Sequence, residues 1–222
     1  MTPIIHPVIL PVPADARDLP PPRRVRFLSG HAREALRRSA ERMQVELGPL
    51  EKDPRGAPRP FHGYFWSLTH KPDYVGGVLA LSPVGLDLEK TRPCSEALFR
   101  KTASEEEWAL AGRSDRDRLF FRYWTAKEAV LKTGGEGIKD LSRCRIRDVL
   151  DDTHLLVDYR GVTWPVEQII FDGHVASAAS AIGGDFYDVM ALAEGRLGVL
   201  IGDVSGHGAE AAGLTALVKS AM

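Results

Sequence analysis

The chain has little cysteine, no excess of charge of either sign and no long apolar run, and each shortage excludes a class of protein. Only Cys94 and Cys144 occur among 222 residues, so a disulfide-stabilised secreted domain is excluded and both are expected to be reduced thiols. The 29 basic and 30 acidic side chains leave a net charge of −1, which argues against a nucleic-acid-binding protein. No run approaches the roughly 18 apolar residues of a membrane span, and the start lacks the basic residues of a signal peptide. We therefore expect a cytoplasmic protein that binds neither nucleic acid nor membrane.

The remaining composition, 44% hydrophobic and 27% charged, is that of a globular protein with one sizeable core or two small domains. Helical and strand-like patterns follow each other along the chain, which predicts an α+β fold. The first 25 residues are proline-rich and predict an extended edge segment followed by a loop. A helical pattern begins at Ser29, with an apolar stripe formed by Ala32, Leu36, Ala40 and Met43. The principal predicted elements are strands over 61–68, 74–81 and 83–89, with a turn over 70–73 between the first two, a helix over 115–132, and strands over 154–158, 162–166, 167–171 and 174–178, with a hairpin turn at Asp172 and Gly173.

A short acidic strand, PVGLDLE at residues 83–89, carries the first candidate site residues. Side chains alternate between the two faces of a strand, so Asp87 and Glu89 project from one face, about 7 Å apart. Two carboxylates placed in this way repel each other unless a cation lies between them. A solvent-facing strand edge is the alternative explanation, and it is the commoner one for an isolated D-x-E sequence.

The longest predicted helix supplies a third carboxylate. Glu128 and Lys132 are four residues apart and share one helix face, and Lys127 lies beside them. A surface ion pair between Glu128 and Lys132 is the alternative interpretation of this spacing. Trp124 precedes Glu128 by four residues, however, so this carboxylate lies at the margin of an apolar stripe.

Taken together, Asp87, Glu89 and Glu128 offer three hard oxygen ligands, which suit Mg²⁺. Lys127, Lys132 and His70 could then hold phosphate groups as charge partners. The predicted chemistry is a displacement at phosphorus.

The sequence VGLDLE, followed some forty positions later by WTAKEAVLK, resembles the signature pair of the 4′-phosphopantetheinyl transferases. These enzymes move the phosphopantetheine arm of coenzyme A onto a serine of a carrier protein. The upstream segments GAPRP and FWSLTHK and the downstream segment GGEGI resemble further motifs of this family in the expected order. The resemblance covers roughly residues 1–180. Within the family, the chain resembles the larger, monomeric, surfactin-synthetase-type branch. It implies a two-lobed, pseudo-dimeric transferase domain over 1–180 and a monomer.

By position, the resemblance implies roles for individual residues. Asp87, Glu89 and Glu128 match Mg²⁺ ligands, Glu128 also matches the base for the carrier serine, and Lys132 matches a lysine near the pyrophosphate. The residues implied in coenzyme A binding are His70, Thr69, Arg59, Arg33, Arg37 and Lys127. Thr69, Ser67 and Ala57 depart from the family pattern, in which serine, asparagine and lysine stand at these positions. The contact of the missing lysine must come from Arg59 or be absent. The implied partner is an apo acyl or peptidyl carrier protein, for which the arginines of residues 23–42 are a candidate basic rim.

Beyond residue 180 the character of the sequence changes. The segments GGDFYD and GDVSGHGAEAA resemble the opening motifs of a PPM-type, SpoIIE-like serine/threonine phosphatase, and by position Asp185 and Asp203 match metal ligands. This predicts a partial α/β hairpin-helix segment over 181–222. No aspartate follows Asp203, so we expect its metal site to be incomplete and inactive. Two alternatives to the transferase stay open: a phosphatase or regulatory remnant with an accessory transferase-like domain, and a protein that binds coenzyme A or the carrier without turnover.

Overall fold

A computed structural model describes residues 5–112, 115–135 and 137–180, together with the backbone of two strands at 185–191 and 197–203. The α-helices are α1 (Ala14–Arg17), α2 (Pro21–Arg42), α3 (Glu96–Thr102), α4 (Glu105–Ala109) and α5 (Arg116–Gly134), and a 3₁₀ helix spans Ile138–Arg143. The strands are β1 (Val8–Pro11), β2 (Phe65–His70), β3 (Tyr74–Ala80), β4 (Val84–Lys90), β5 (Arg145–Val149), β6 (His154–Tyr159), β7 (Val162–Phe171), β8 (His174–Ser180), β9 (Asp185–Ala191) and β10 (Leu197–Asp203).

The strands form antiparallel sheets, and the two longest helices pack on them. One sheet has the order β1-β3-β2, a second has the order β4-β8-β7-β6-β5, and β9 pairs with β10. Helix α2 packs on β3, and α5 packs across β4 and β8. This mixture of helices and antiparallel sheets agrees with the predicted α+β class. The pseudo-dimeric relation between the two halves stays a prediction.

The N-terminal helix is longer than its sequence pattern indicated. Helix α2 begins at Pro21 rather than Ser29, because proline fits the first turn of a helix, where its missing N–H would have no partner in any case. The predicted stripe is nevertheless buried, with Ala32 and Leu36 fully inaccessible. The predicted extended edge segment is confirmed at β1, which pairs with β3 at the margin of its sheet. The loop predicted after it instead contains α1 and the start of α2.

Helix α5 forms the centre of the larger core. Asp115 caps its N-terminus by accepting a hydrogen bond of 2.8 Å from the Arg118 N–H, and Gly135 ends it in the left-handed conformation with φ of 69°. The buried apolar residues that α5 shares with the five-stranded sheet are Tyr123, Ala126, Val130, Leu131, Ile146, Leu155, Val157, Val166 and Ala179. The predicted helix 115–132 is therefore correct apart from its ends.

Other predictions were wrong in their limits. The strand expected over 61–68 is β2, shifted to Phe65–His70, and the two strands expected over 162–166 and 167–171 are the single strand β7. The hairpin turn at Asp172 and Gly173 is present, with φ of 44° and 66°, as the turn chemistry predicted.

The phosphatase-like segment is described only as a hairpin of β9 and β10, in which Asp185 lies opposite Asp203. The predicted helix after residue 203 and the turn at 194–195 lie outside the described residues. The phosphatase resemblance and the metal-binding roles of the two aspartates stay predictions. Among the described residues, no helix is long and apolar enough to cross a bilayer.

Candidate active site

The candidate site lies where α5 covers one face of β4. Asp87 of β4 is paired with Ser177 of β8, so their side chains project from the same face of the sheet. The Ser177 hydroxyl lies 2.7 Å from the hydroxyl of Thr125, which identifies this face as the one under α5. Gly85 lies on the same face and lets α5 approach closely, because a Cβ there would overlap the carbonyl oxygen of Ala129. The absence of a side chain at Gly85 therefore brings the acidic part of α5 onto β4.

Asp87 is the most buried carboxylate of the site, with 3% of its surface exposed. Its Oδ1 accepts a hydrogen bond of 2.7 Å from Lys132 Nζ and a longer one of 3.5 Å from the Thr69 hydroxyl. Its Oδ2 is buried and has no hydrogen-bond partner in the part of the chain that the structure describes. A buried carboxylate oxygen without a partner is costly, so this oxygen is available to a cation.

The three-stranded sheet reaches the site through β2. Ser67 accepts a hydrogen bond of 3.0 Å from the backbone N–H of Leu86 and so ties β2 to β4. Thr69 lies two residues further on the same face and contacts Asp87. The serine-to-threonine departure at residue 69 thus keeps a hydroxyl beside the aspartate.

Glu89 is paired with two cations. Its Oε1 lies 2.6 Å from Lys71 Nζ and its Oε2 lies 3.6 Å from Arg92 Nη1. Lys71 was not predicted as a site residue, because it was assigned to the turn between β2 and β3. The alternation of the strand contained the signal, since Lys71 follows Thr69 by two residues and so continues the same face.

Glu128 of α5 is half-buried, and its side chain makes no hydrogen bond or ion pair within the described residues. Burial raises the pKa of its carboxyl group, and the negative charges of Asp87 and Glu89 raise it further, against the opposing effect of Lys132 and Lys71. The alternative of a solvent-facing strand edge is therefore wrong for Asp87 and Glu89, whose side chains are largely buried. The alternative of a surface ion pair is wrong for Glu128 within the described residues. We call Asp87, Glu89 and Glu128 the acidic cluster.

The pKa of Lys71 responds to the same cluster in the opposite direction. Burial opposes the charged form of its ammonium, but the nearby Asp87 and the contact with Glu89 outweigh burial and raise the pKa, and Glu128 contributes in the same sense. Lys132 donates a second hydrogen bond, of 2.8 Å, to the carbonyl oxygen of Leu86. Two lysines thus lie against an acidic cluster that would otherwise repel itself.

The donor chemistry of the acidic cluster fits Mg²⁺, which prefers carboxylate oxygen and keeps several waters. The unpartnered Oδ2 of Asp87 and the unpaired carboxylate of Glu128 are the groups that such an ion could use directly. Within the described ranges, however, no group of three histidine, cysteine or acidic side chains is arranged to hold a metal ion. The oxygens of Glu89 are held by Lys71 and Arg92 instead.

Apart from Lys127, the remaining predicted ligand-binding residues are exposed and, within the described residues, make no hydrogen bond or ion pair with the acidic cluster. His70 is exposed at the end of β2, on the face opposite Thr69. Arg59 is exposed and lies 4.0 Å from Glu51, whereas Arg33 is exposed on α2. Arg37, also on α2, is paired with Glu34 and Glu41.

Lys127 does not fit its predicted role as a phosphate contact. Consecutive residues of a helix point about 100° apart, so Lys127 leaves the face of Glu128 and enters the core. Its Nζ lies 2.6 Å from Glu107 Oε1 and donates a hydrogen bond of 2.8 Å to the carbonyl oxygen of Thr102, with 2% of the side chain exposed. Burial lowers its pKa. Lys127 thus links α5 to α4 and to the end of α3.

Replacing Lys127 with methionine is expected to destabilise the fold by about 3–5 kcal/mol, because the buried Glu107 would lose its partner. Urea denaturation would measure the free energy of unfolding. The double variant Lys127→Met/Glu107→Met should recover part of the loss, since it removes both charges, whereas Glu34→Gln, at an exposed pair on α2, should remain close to wild type. A Lys127→Met protein as stable as wild type would contradict this role.

Comparison with known proteins supports the sequence resemblance. Residues 83–178 match the 4′-phosphopantetheinyl transferase superfamily. The chain is 32% identical over 94 residues to the 4′-phosphopantetheinyl transferase psf-1 of Bacillus pumilus, covering 40% of each chain. It is 29% identical over 127 residues to the 4′-phosphopantetheinyl transferase HetI of a Nostoc species, covering 54% of this chain and 53% of the relative.

A third match, 29% identical over 143 residues, is the L-aminoadipate-semialdehyde dehydrogenase-phosphopantetheinyl transferase of Xenopus laevis, with 53% of this chain and 47% of the relative covered. The aligned segments thus span about half the length of these relatives or less. The matched residues 83–178 contain the whole acidic cluster and Lys132, and this segment is therefore similar to the 4′-phosphopantetheinyl transferase superfamily.

Proposed function

We propose that the protein transfers the 4′-phosphopantetheine arm of coenzyme A to a serine of an apo acyl or peptidyl carrier protein, with release of 3′,5′-ADP. One observation carries the proposal: inside the segment similar to the superfamily, the buried Asp87 lies in the electrostatic field of the half-buried Glu128, and within the described residues neither Asp87 Oδ2 nor the Glu128 carboxylate has a partner. Such a pair favours cation-assisted chemistry on an anionic substrate over a structural ion pair.

In the proposed reaction, the serine oxygen forms a bond to the β-phosphorus of coenzyme A, and the bond from that phosphorus to the bridging oxygen breaks. Glu128 accepts the serine proton, directly or through water, and its position at the edge of the buried region suits a base that must be reached by another protein. Lys132, anchored on Asp87 and on the Leu86 carbonyl group, lies where it can contact the pyrophosphate. Mg²⁺, held by Asp87, Glu89 and Glu128, would neutralise charge on the pyrophosphate.

The substrate-binding residues extend this proposal to the surface. We infer that His70, Thr69, Arg59, Arg33 and Arg37 contribute to the binding of coenzyme A phosphates. An open groove of about 440 Å³ runs along α2 and is lined by Arg23, Arg26, Phe27, Gly30, His31 and Glu34. Its basic and apolar lining supports the proposed docking of an acidic carrier protein.

The organisation of the chain is part of the same proposal. The match to the superfamily ends at residue 178 and β8 ends at Ser180, which supports a transferase unit over 1–180 and a separate segment over 181–222. We propose that the transferase unit acts as a monomer in the cytoplasm.

Incubation of the protein with coenzyme A, Mg²⁺ and an apo carrier protein should give a carrier that is heavier by one phosphopantetheine group. Mass spectrometry of the intact carrier would measure the change. A carrier whose acceptor serine is replaced by alanine is the control and should stay unmodified. An unmodified wild-type carrier under the same conditions, with a fatty-acid, a polyketide and a peptide-synthesis carrier each tried, would overturn the proposed function.

A further inference from the structure

We propose that Lys71 is an internal counter-cation of the acidic cluster. Its ammonium group occupies an oxygen of Glu89 that a divalent cation would otherwise bind. When that cation binds, Lys71 is released towards the substrate phosphates. The inference rests on the proposed function, because it assumes that the acidic cluster is the metal site. It explains why carboxylates of the right chemistry are not arranged around a common centre in the described residues.

The first argument is that two cations of the protein already contact the oxygens of Glu89. Only 12% of its side chain is exposed, and Lys71 Nζ lies 2.6 Å from one of its oxygens while Arg92 Nη1 lies 3.6 Å from the other. An ammonium group and a divalent cation compete for the same lone pairs. Glu89 can therefore become a direct ligand through Oε1 only if Lys71 withdraws.

The second argument is the balance of formal charges at the acidic cluster. The three carboxylates of the acidic cluster face three cations, Lys71, Lys132 and Arg92, so their formal charges cancel. One divalent cation would give the site two positive charges, and a pyrophosphate diester has two negative charges. Binding of the cation thus converts a neutral cluster into an anion-binding site.

The two lysines are anchored by different numbers of hydrogen bonds, and this difference selects Lys71. Lys132 makes two hydrogen bonds, to Asp87 and to the Leu86 carbonyl group, so it is anchored to β4. Within the described residues Lys71 makes one side-chain hydrogen bond, to Glu89, although both lysine side chains are equally exposed, at 30%. Its four-carbon stem can carry the ammonium away from Glu89 without movement of the backbone.

The affinity of the full chain for Mn²⁺, measured without coenzyme A by electron paramagnetic resonance, tests the proposal directly. Lys71→Met should bind Mn²⁺ about fivefold more tightly than wild type, or better, because the competing charge is gone. Lys71→Arg, which keeps a cation, should bind Mn²⁺ like wild type. Lys101→Met removes the same charge from the exposed face of α3 and is the matched control, and Asp87→Asn should abolish binding.

A Lys71→Met protein that binds Mn²⁺ as wild type does, or more weakly, would overturn the competition. If neither wild type nor Lys71→Met binds Mn²⁺, the metal site itself is wrong and the inference falls with it. If Lys71→Met binds Mn²⁺ more tightly than wild type, but the wild-type protein modifies no carrier, the inference is supported and the proposed transfer is wrong.

The second half of the proposal concerns the released ammonium. At saturating Mg²⁺, Lys71→Met should raise the KM for coenzyme A about threefold or more, because one phosphate contact is lost, while Lys71→Arg should restore the wild-type value. The carrier KM should not change in either variant. An unchanged KM for coenzyme A in Lys71→Met would overturn the release towards the phosphates.

Discussion

Glu128→Gln is expected to slow phosphopantetheine transfer by about a thousandfold, within the range that general base catalysis contributes. Glutamine has the shape of glutamate but cannot accept the serine proton, and it is a poorer ligand for a divalent cation. The Glu128 side chain makes no hydrogen bond or ion pair within the described residues, so the substitution removes no partner from another group and should not disturb the fold. It also removes a charge that burial and two neighbouring carboxylates disfavour.

The rate of carrier modification, followed by mass spectrometry at saturating coenzyme A and Mg²⁺, would measure this effect. The loss should fall on kcat, with a smaller change in the KM for coenzyme A, because the base acts in the transition state. Glu106→Gln is a suitable control, since Glu106 is exposed on α4 and outside the acidic cluster. A Glu128→Gln enzyme that keeps a tenth of the wild-type rate would contradict the assignment of Glu128 as the base.

Gly85→Ala is expected to lower the free energy of unfolding by about 3 kcal/mol or more, and to abolish transfer in whatever protein still folds. A Cβ at Gly85 would overlap the Ala129 carbonyl oxygen and lie 3.2 Å from the Cβ of Lys132. Helix α5 would then have to move away from β4. Such a movement would separate Glu128 and Lys132 from Asp87, so stability and activity should be lost together.

Gly30→Ala is the matched control for this substitution. Gly30 lies inside α2, and a Cβ there would meet no atom within 4 Å. Alanine is the better helix former, so the variant should be more stable than wild type by about 0.5–1 kcal/mol. Urea denaturation of both variants would separate the two cases. A Gly85→Ala protein as stable as wild type would show that α5 does not depend on close contact at this glycine.

The positions of the three carboxylates of the acidic cluster could be predicted from the sequence, while their roles stay predictions. Strand alternation placed Asp87 and Glu89 on one face, and the spacing of Trp124 and Glu128 placed the third carboxylate at the edge of an apolar stripe. Asp87 is buried and Glu128 is half-buried in the structure. These are local patterns, set by the period of a strand or a helix, and a single segment of sequence contains them in full.

Lys127 and Lys71 show where the same reasoning failed. Lys127 was grouped with Glu128 because the two are adjacent in sequence, but Glu107 recruits it into the core from a different helix. Lys71 was assigned to a turn, and its role follows from a contact with Glu89, eighteen residues away. A lysine stem is long enough to reach several partners, so its position in the chain does not determine which partner it meets.

The sequence by itself determined the kinds of group that we propose to act at this site, the strand and helix that carry them, and the likeness to a known transferase superfamily. Only the tertiary structure decided which cation neutralises which carboxylate. That pairing depends on the approach of α5 to β4 across Gly85 and on the hydrogen bond from the Leu86 N–H to Ser67, which brings β2 beside β4. Both are contacts between segments distant in the chain, and no local period encodes them, because packing and hydrogen bonding between separate elements fix their distance.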